Sequence, residues 1–200
     1  MTHMPETRPY HHGDLRAALL AGAERTLREK GATALSLREL ARETGVSHAA
    51  PGRHFKDKQA LLDALALTGF ERLTQTLDTA DDPTLPLEER LTALARAYLG
   101  FAIENAALLE LMYARKHDPD VSEQLTAAVE RTIAPFLRLI ADAQGRGEIV
   151  EGDPEQITLL AGASLHGIAA FTANGTFPPQ AALDSIGDVV HHLLHGLRPR

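Results

Sequence analysis

Three groupings of side chains in this 200-residue chain have chemistry to offer. Ser47, His48, Arg53 and His54, with Arg38 shortly before and Lys56 and Lys58 shortly after, put hydrogen-bond donors and positive charge within about twenty residues, a set suited to a polyanion. Gly162-Ala163-Ser164-Leu165-His166 approaches the G-x-S-x-G spacing of a nucleophile elbow, which would serve acyl transfer. His191 and His195, four apart, have the spacing of two metal ligands on one helix face.

The elements that must position these groups decide among them. A nucleophile elbow needs a strand before the serine, a helix after it and a distant histidine and acid. Here the apolar residues recur at helical spacing, so Ser164 falls in mid-helix and His166, two residues on, points elsewhere. No catalytic residue is expected, and the protein is not expected to be an enzyme. His191 and His195 lie near the end of the last expected helix without carboxylates close in sequence, where the helix terminus favours a protonated imidazole. A solvated or dimer-facing role is expected for them, with no metal site and no cofactor. His11-His12 reads as part of an arm touching DNA or solvent. Asp118-Pro119-Asp120 lacks the alternating oxygen ligands and glycine of a calcium loop and reads as a turn.

Composition narrows the classes further. With 44% apolar and 24% charged residues the chain has a globular balance, and with 4% aromatics its core must be leucine and alanine. The absence of cysteine excludes a disulfide scaffold, a thiol nucleophile and Cys-ligated zinc. Ile157 to Ala173 carries no charged residue, but its flank (Glu148, Glu151, Asp153, Glu155) is acidic and gives no basic anchor. A buried or interfacial helix is expected there, not a membrane span, and the location expected is cytoplasmic. The net charge of −7 is unevenly spread: residues 1–60 hold ten Lys and Arg against seven acids, leaving ten against twenty for 61–200. A mildly basic head on an acidic body suggests that the head meets a polyanion and the body does not.

The chain reads as all-α, with about nine helices. Residues 1–13 form a loose arm; Asp14 caps a helix striped with Leu15, Leu19, Leu20, Ala23 and Leu27 that stops at Gly31. Ser36-Leu37-Arg38-Glu39 has the form of a capping box, for a short helix ending at Gly45. Ser47 caps the next, running to about Phe55, and Asp57 caps a longer one carrying Leu61, Leu62, Leu65, Leu73 and Leu77. Asp81-Asp82-Pro83 and Pro86 break the chain, and helices follow at about 87–104, 107–117, 121–145, 154–174 and 179–197.

Between Ser36 and Phe55, Leu37, Leu40, Ala41, Val46, Pro51 and Phe55 turn inward, leaving Ser47, His48, Ala49, Ala50, Gly52, Arg53 and His54 outside. Two helices of two turns joined by a glycine turn form a helix-turn-helix, whose second helix enters the major groove by its N-terminus. Alanine methyls can meet thymine methyls, His48 can bond a base, and the N-termini capped by Ser47 and Asp57 offer N–H groups to phosphates.

His11-His12-Gly13-Asp14-Leu15-Arg16, Ser36-Leu37-Arg38-Glu39-Leu40-Ala41, Gly45-Val46-Ser47 and His54-Phe55-Lys56-Asp57-Lys58 with Leu61-Leu62 resemble, in order and spacing, the DNA-binding region of the TetR/AcrR repressors. His166-Gly167 on a late apolar helix is similar to the subgroup with a Trp-His-Gly C-terminal domain, although the chain has no tryptophan. The resemblance implies that Arg38 reaches a base or phosphate, that His48, Ala49 and Ala50 face base edges, and that His54 and Lys58 hold phosphates. Where the family usually has a phosphate-binding tyrosine this chain has Gly52; either affinity falls, or Arg53 and Lys56 compensate.

The expectation is therefore a helix-turn-helix DNA-binding domain with its arm at 1–60 and a helical ligand-binding and dimerisation domain at 61–200. Tyr98, Phe101, Asn105, Met112, Tyr113, His166, Phe171 and Thr172 stand out among aliphatic neighbours as lining for a small apolar or amphipathic effector. The last two helices, rich in Ala, Gly and Leu, suit a two-fold four-helix interface between identical chains, as a pseudo-palindromic duplex operator requires. The function expected is a ligand-released repressor; the alternative is a helical small-molecule-binding or interaction module with a weakened DNA-binding head.

Overall fold

The computed structural model describes residues 12–197; the arm expected at 1–13 lies almost wholly outside them. Eight α-helices run in order: α1 (His12–Lys30), α2 (Leu37–Glu43), α3 (Lys58–Ala80), α4 (Leu87–Glu104), α5 (Ala106–Lys116), α6 (Glu123–Gly145), α7 (Pro154–Ala173) and α8 (Pro179–Leu197). Short 3-10 turns occupy Ala32–Ala34 and Pro51–Arg53, and there is no strand among the described residues. The chain divides between Leu65 and Ala66 into two compact units.

In the first unit Leu15, Leu19, Ala23 and Leu27 of α1 are buried together with Leu35, Leu40, Ala41, Phe55 and Leu61. α1 and α2 approach closely at Gly22, where an added Cβ would sit 3.2 Å from Leu40 Cδ2. Gly45, at φ +70°, closes α2: its N–H donates to the Arg42 carbonyl, and that of Val46 to the Ala41 carbonyl. This paired arrangement satisfies the last carbonyls of a helix and needs a residue that tolerates the left-handed conformation. Gly31, at φ +78° and ψ 171°, follows α1 with another positive-φ backbone that glycine adopts readily.

Four expectations about this unit need correction. His12 and Gly13 are already helical, so Asp14 lies inside the first helix and does not cap it. Ser36 has the extended backbone of an N-cap, but its hydroxyl makes no capping bond, and Glu39 turns instead to Arg42 at 3.5 Å. The helix expected over 47–55 is a turn followed by the Pro51–Arg53 3-10 segment, so the described residues hold eight α-helices where about nine were expected of the chain. Ser47 consequently has no helix to cap. Pro51 explains the last two: it has no N–H to donate to the Ser47 carbonyl, its ring crowds that carbonyl, and Gly52 adds a poor helix former. Backbone N–H groups reach back three residues instead, from Ala50 to Ser47, Arg53 to Ala50 and His54 to Pro51. Asp57 does cap α3, accepting from the Ala60 N–H at 2.8 Å.

In the second unit α4 packs against α7 and α8, while α5 and α6 close over α7. Leu99, Met112, Leu125, Ile149 and Ile186 are fully buried at its centre. Ser122 caps α6, and Asp153 with Pro154 in the first turn starts α7. Asp81 and Arg90 form a two-pronged ion pair (2.8 Å for Nη2 to Oδ2) that holds the turn between α3 and α4. The Arg90 guanidinium keeps the Asp81 carboxyl below the usual carboxylate range. α7 is long and apolar enough to cross a membrane, and little of it is buried within the chain.

Candidate nucleic-acid interface and effector cluster

The segment from Ser47 to Lys58 is short of regular hydrogen bonding but is not loosely held. Pro51 and Phe55 are both buried, and the Arg16 guanidinium lies 5.4 Å from the centroid of the Phe55 ring. These anchors leave Ser47, His48, Ala49, Gly52, Arg53 and Lys56 exposed, with Ala50, His54 and Lys58 half-buried. Lys58 Nζ donates to the Thr33 carbonyl at 3.0 Å, which uses one of its three hydrogens and steers the rest. Arg38 is exposed on α2. No carboxylate among the described residues pairs with Arg38, Arg53 or Lys56, in contrast to Arg28, Arg42, Arg90, Arg115 and Arg146, which all have acidic partners. Exposed, uncommitted cations on an anchored turn can meet phosphate without first breaking an internal pair.

Gly52 needs none of glycine's freedom: its φ is not positive, and a Cβ added there would meet nothing within 4 Å. Gly52→Tyr is therefore expected to fold without penalty and to tighten duplex binding by the gain of one phosphate contact, about 1 kcal/mol or some five-fold in affinity. Thermal melting beside fluorescence anisotropy on a labelled duplex checks both halves.

Of the residues expected around an effector, three come together. The Tyr98 hydroxyl on α4 lies 3.2 Å from that of Tyr113 on α5 and 3.0 Å from His166 Nδ1 on α7. The Tyr113 and His166 rings stack at 3.9 Å between centroids, 18° from parallel. Burial pushes the Tyr98 phenol far above its ordinary value and holds His166 below it, with the charge on Lys116 adding to the second effect. His166 thus resists protonation in the folded state while it accepts protons near pH 6.5 unfolded, so stability falls as pH drops through that range. His166→Gln should flatten this part of a pH–melting curve between about pH 7 and 5, the interval below the ordinary histidine value.

The others lie apart. Phe101 is buried in the core, and Asn105 sits at the break between α4 and α5, donating from Nδ2 to the Phe101 carbonyl at 2.9 Å. Met112 is fully buried against Gly69, and Thr172 turns its hydroxyl to the Ile168 carbonyl. Phe171 is 51% exposed, beside Phe177. A cleft of about 20 Å³, room for roughly one water, lies beside the Asp81–Arg90 pair, lined by Thr74, Leu77, Leu94 and Thr132 among others and by none of the expected residues. Sequence reasoning missed Lys116, whose Nζ sits 3.9 Å from the centroid of the Tyr113 ring; the i, i+3 spacing on one helix was the available signal.

The remaining chemistry is of other kinds. The Ser164 hydroxyl donates to the Leu160 carbonyl while His166 is held by Tyr98, so the two do not form a nucleophile–base pair. His191 Nδ1 meets Glu88 Oε1 at 2.8 Å, and its ring lies near that of His195; no group of three metal-ligating side chains occurs among the described residues. Asp118 accepts from Arg115 and from the Asp120 N–H, consistent with a turn.

A helical head with an anchored turn whose cations have no carboxylate partner among the described residues, followed by a larger helical unit, is the layout of a helix-turn-helix regulator. Residues 19–65 match the family described as bacterial regulatory proteins, tetR family, and residues 91–197, more than half of the chain, match the tetracyclin repressor-like C-terminal domain. The chain belongs to the TetR family. It is 29% identical over 141 residues to the HTH-type transcriptional regulator Rv1816 of Mycobacterium tuberculosis, a match covering 68% of this chain and 59% of that one. The chain thus spans about three fifths of the length of that curated relative. Among solved structures it is similar to a protein of unknown function from Rhodococcus sp. RHA1 (TM-score 0.86, 43% identity, covering 96% of this chain and all of that one). The fold is also that of a tetR-family regulatory protein from Rhodococcus RHA1 (TM-score 0.75, 22% identity, covering 93% and 98%).

Proposed function

We propose that this protein is a homodimeric, sequence-specific DNA-binding transcriptional repressor that a small molecule releases from its operator. The observation that carries the reading is the anchored turn from Ser47 to Lys56, whose cations have no carboxylate partner among the described residues, in a chain that is otherwise acidic. Residues 1–60 serve as the DNA-binding domain. His48, Ala49 and Ala50 read base edges; Arg38, Ser47, Arg53, His54, Lys56 and Lys58 hold the backbone or neighbouring bases. Residues 61–200 bind the effector around Tyr98, Tyr113 and His166, with Phe101, Asn105, Met112 and Phe171 in the surrounding helices.

Dimerisation through α7 and α8 is supported by the exposure of Leu159 (71%), Leu160 (54%) and Phe171 on a helix with no charged residue after Glu155. A soluble monomer would leave this apolar strip wet, whereas a two-fold four-helix contact buries it. An acidic flank and a single candidate span favour that contact over a membrane. The test is a titration against labelled duplex from upstream of the protein's own gene, with scrambled duplex as competitor. Preference for the upstream duplex, at two chains per duplex, supports the reading. Equal affinity for both duplexes contradicts it and favours a small-molecule-binding or interaction module with a vestigial head.

A further inference from the structure

Lys116, near the end of α5, is a half-buried cation for which the described residues supply no carboxylate. Its Nζ sits 3.9 Å from the centroid of the Tyr113 ring, and His166 stacks on the same ring at the same distance. A ring stacked that closely leaves no room for an ammonium on its own side, so Lys116 and His166 take opposite faces of Tyr113. The ring cannot slide, because its hydroxyl is tied to Tyr98, which is tied in turn to His166 Nδ1. α4 and α7 thereby fix the platform on which the Lys116 charge rests.

The proton count leaves this cluster without an acceptor for that charge. When the Tyr98 hydroxyl donates to His166 Nδ1 it accepts from Tyr113, and the imidazole carries its own proton on Nε2. Tyr98, Tyr113 and His166 are then all neutral, and desolvation by burial lowers the Lys116 pKa. The ring face offsets part of the cost of this burial, since a cation over an aromatic face is attracted to it. A carboxylate would offset much more of it through a charge-assisted hydrogen bond.

We propose that Lys116 is the counter-ion for a small organic acid, whose carboxylate pairs with Nζ while Tyr113 holds the ammonium in place. The match is to a monoanion: one ammonium balances one carboxylate and would leave a dianion such as phosphate half unpaired. This deepens the effector-release reading given above and rests on it. A ligand drawn to Lys116 would bear on Tyr113, hence on Tyr98 in α4 and His166 in α7, which is the connection that coupling between an effector and the rest of the unit requires.

The experiment uses the full chain without DNA. The chain has no tryptophan, and two of its three tyrosines belong to the cluster, so tyrosine fluorescence reports on it directly. Benzoate and hexanoate are titrated beside benzamide and hexanamide, which keep the shape and lose the charge. At least one acid should saturate the signal and bind about ten-fold or more tighter than its amide, the scale of one charge-assisted bond. Lys116→Gln should abolish that difference without lowering the melting temperature, since it removes an unpaired half-buried charge; Lys116→Arg should keep part of it. Tyr98→Phe, which loosens the platform, should weaken acid binding while sparing the amide. Equal binding of acid and amide, acid binding unchanged in Lys116→Gln, or no saturable binding of either acid overturns the proposal. Duplex binding measured in parallel separates the two readings. An acid that binds at Lys116 yet leaves the duplex bound contradicts effector release alone, and a selective duplex complex with no acid binding contradicts the Lys116 site alone.

Discussion

Replacing Phe55 by alanine is expected to cost about 3–5 kcal/mol and to abolish duplex binding at temperatures where the second unit is still folded. Phe55 is 2% exposed and is one of two buried anchors for the turn that carries His48 and Arg53. The cost has two parts: the transfer of an aromatic side chain, and a cavity that a 3-10 turn, with few hydrogen bonds of its own, cannot hold open in one shape. The Arg16 guanidinium, 5.4 Å from the ring centroid, would lose its aromatic face as well. A unit of this size has little stability to spare, so the loss is comparable with the whole. Urea unfolding followed by helical circular dichroism should show an early transition absent from the parent, and Phe55→Leu should recover most of the stability.

Gly69→Ala is expected to destabilise the second unit by about 1–3 kcal/mol, against the direction of helix propensity. Alanine is favoured over glycine by about 1 kcal/mol within a helix. At Gly69, however, an added Cβ would lie 2.5 Å from Met112 Sδ, 2.9 Å from its Cγ and 3.2 Å from Leu108 Cγ. Methionine is flexible, but Met112 is fully buried and Leu108 nearly so, which leaves the thioether nowhere to retreat. Gly100→Ala is the internal control, because a Cβ there meets nothing within 4 Å and the helix should gain stability. Met112→Ala should relieve the Gly69→Ala clash, so the double variant should lose less than the two single losses added together. Additive losses would show that the contact between α3 and α5 is looser than described.

Where local rules and packing agreed, the sequence was readable. α4 and α8 start where expected because Pro86 and Pro178-Pro179, which have no N–H to donate, do not continue a preceding helix but suit the start of a new one. Gly31 and Gly45 mark helix ends for a related reason, since the positive φ both adopt is costly for other residues. The expected helix at 47–55 failed because amphipathic spacing alone ignores a missing N–H, and Pro51 sits where that donor was needed. Ser36 and Glu39 have the right spacing for reciprocal capping, but Arg42 competes for the carboxylate.

At the candidate effector cluster, residue type picked out Tyr98, Tyr113 and His166, while their convergence depends on how α4, α5 and α7 pack, which no local pattern encodes. Lys116 escaped notice because an isolated lysine on a helix ordinarily reads as solvated surface; only the ring beneath it and the missing carboxylate give it meaning. The uncommitted state of Arg38, Arg53 and Lys56 was likewise hidden, since acids are plentiful nearby and only the folded arrangement tells which cations they occupy.

The most direct test of the central claim is the salt dependence of binding to the upstream duplex. If the head holds phosphates through uncommitted cations, the logarithm of the binding constant should fall linearly with the logarithm of salt concentration, by about 0.9 for each phosphate neutralised. Arg53→Ala and Lys56→Ala should each reduce that slope by about one while weakening specific and scrambled duplexes alike. An affinity that does not change with salt, or a slope that both substitutions leave untouched, would contradict the assignment of the anchored turn as the DNA-reading surface.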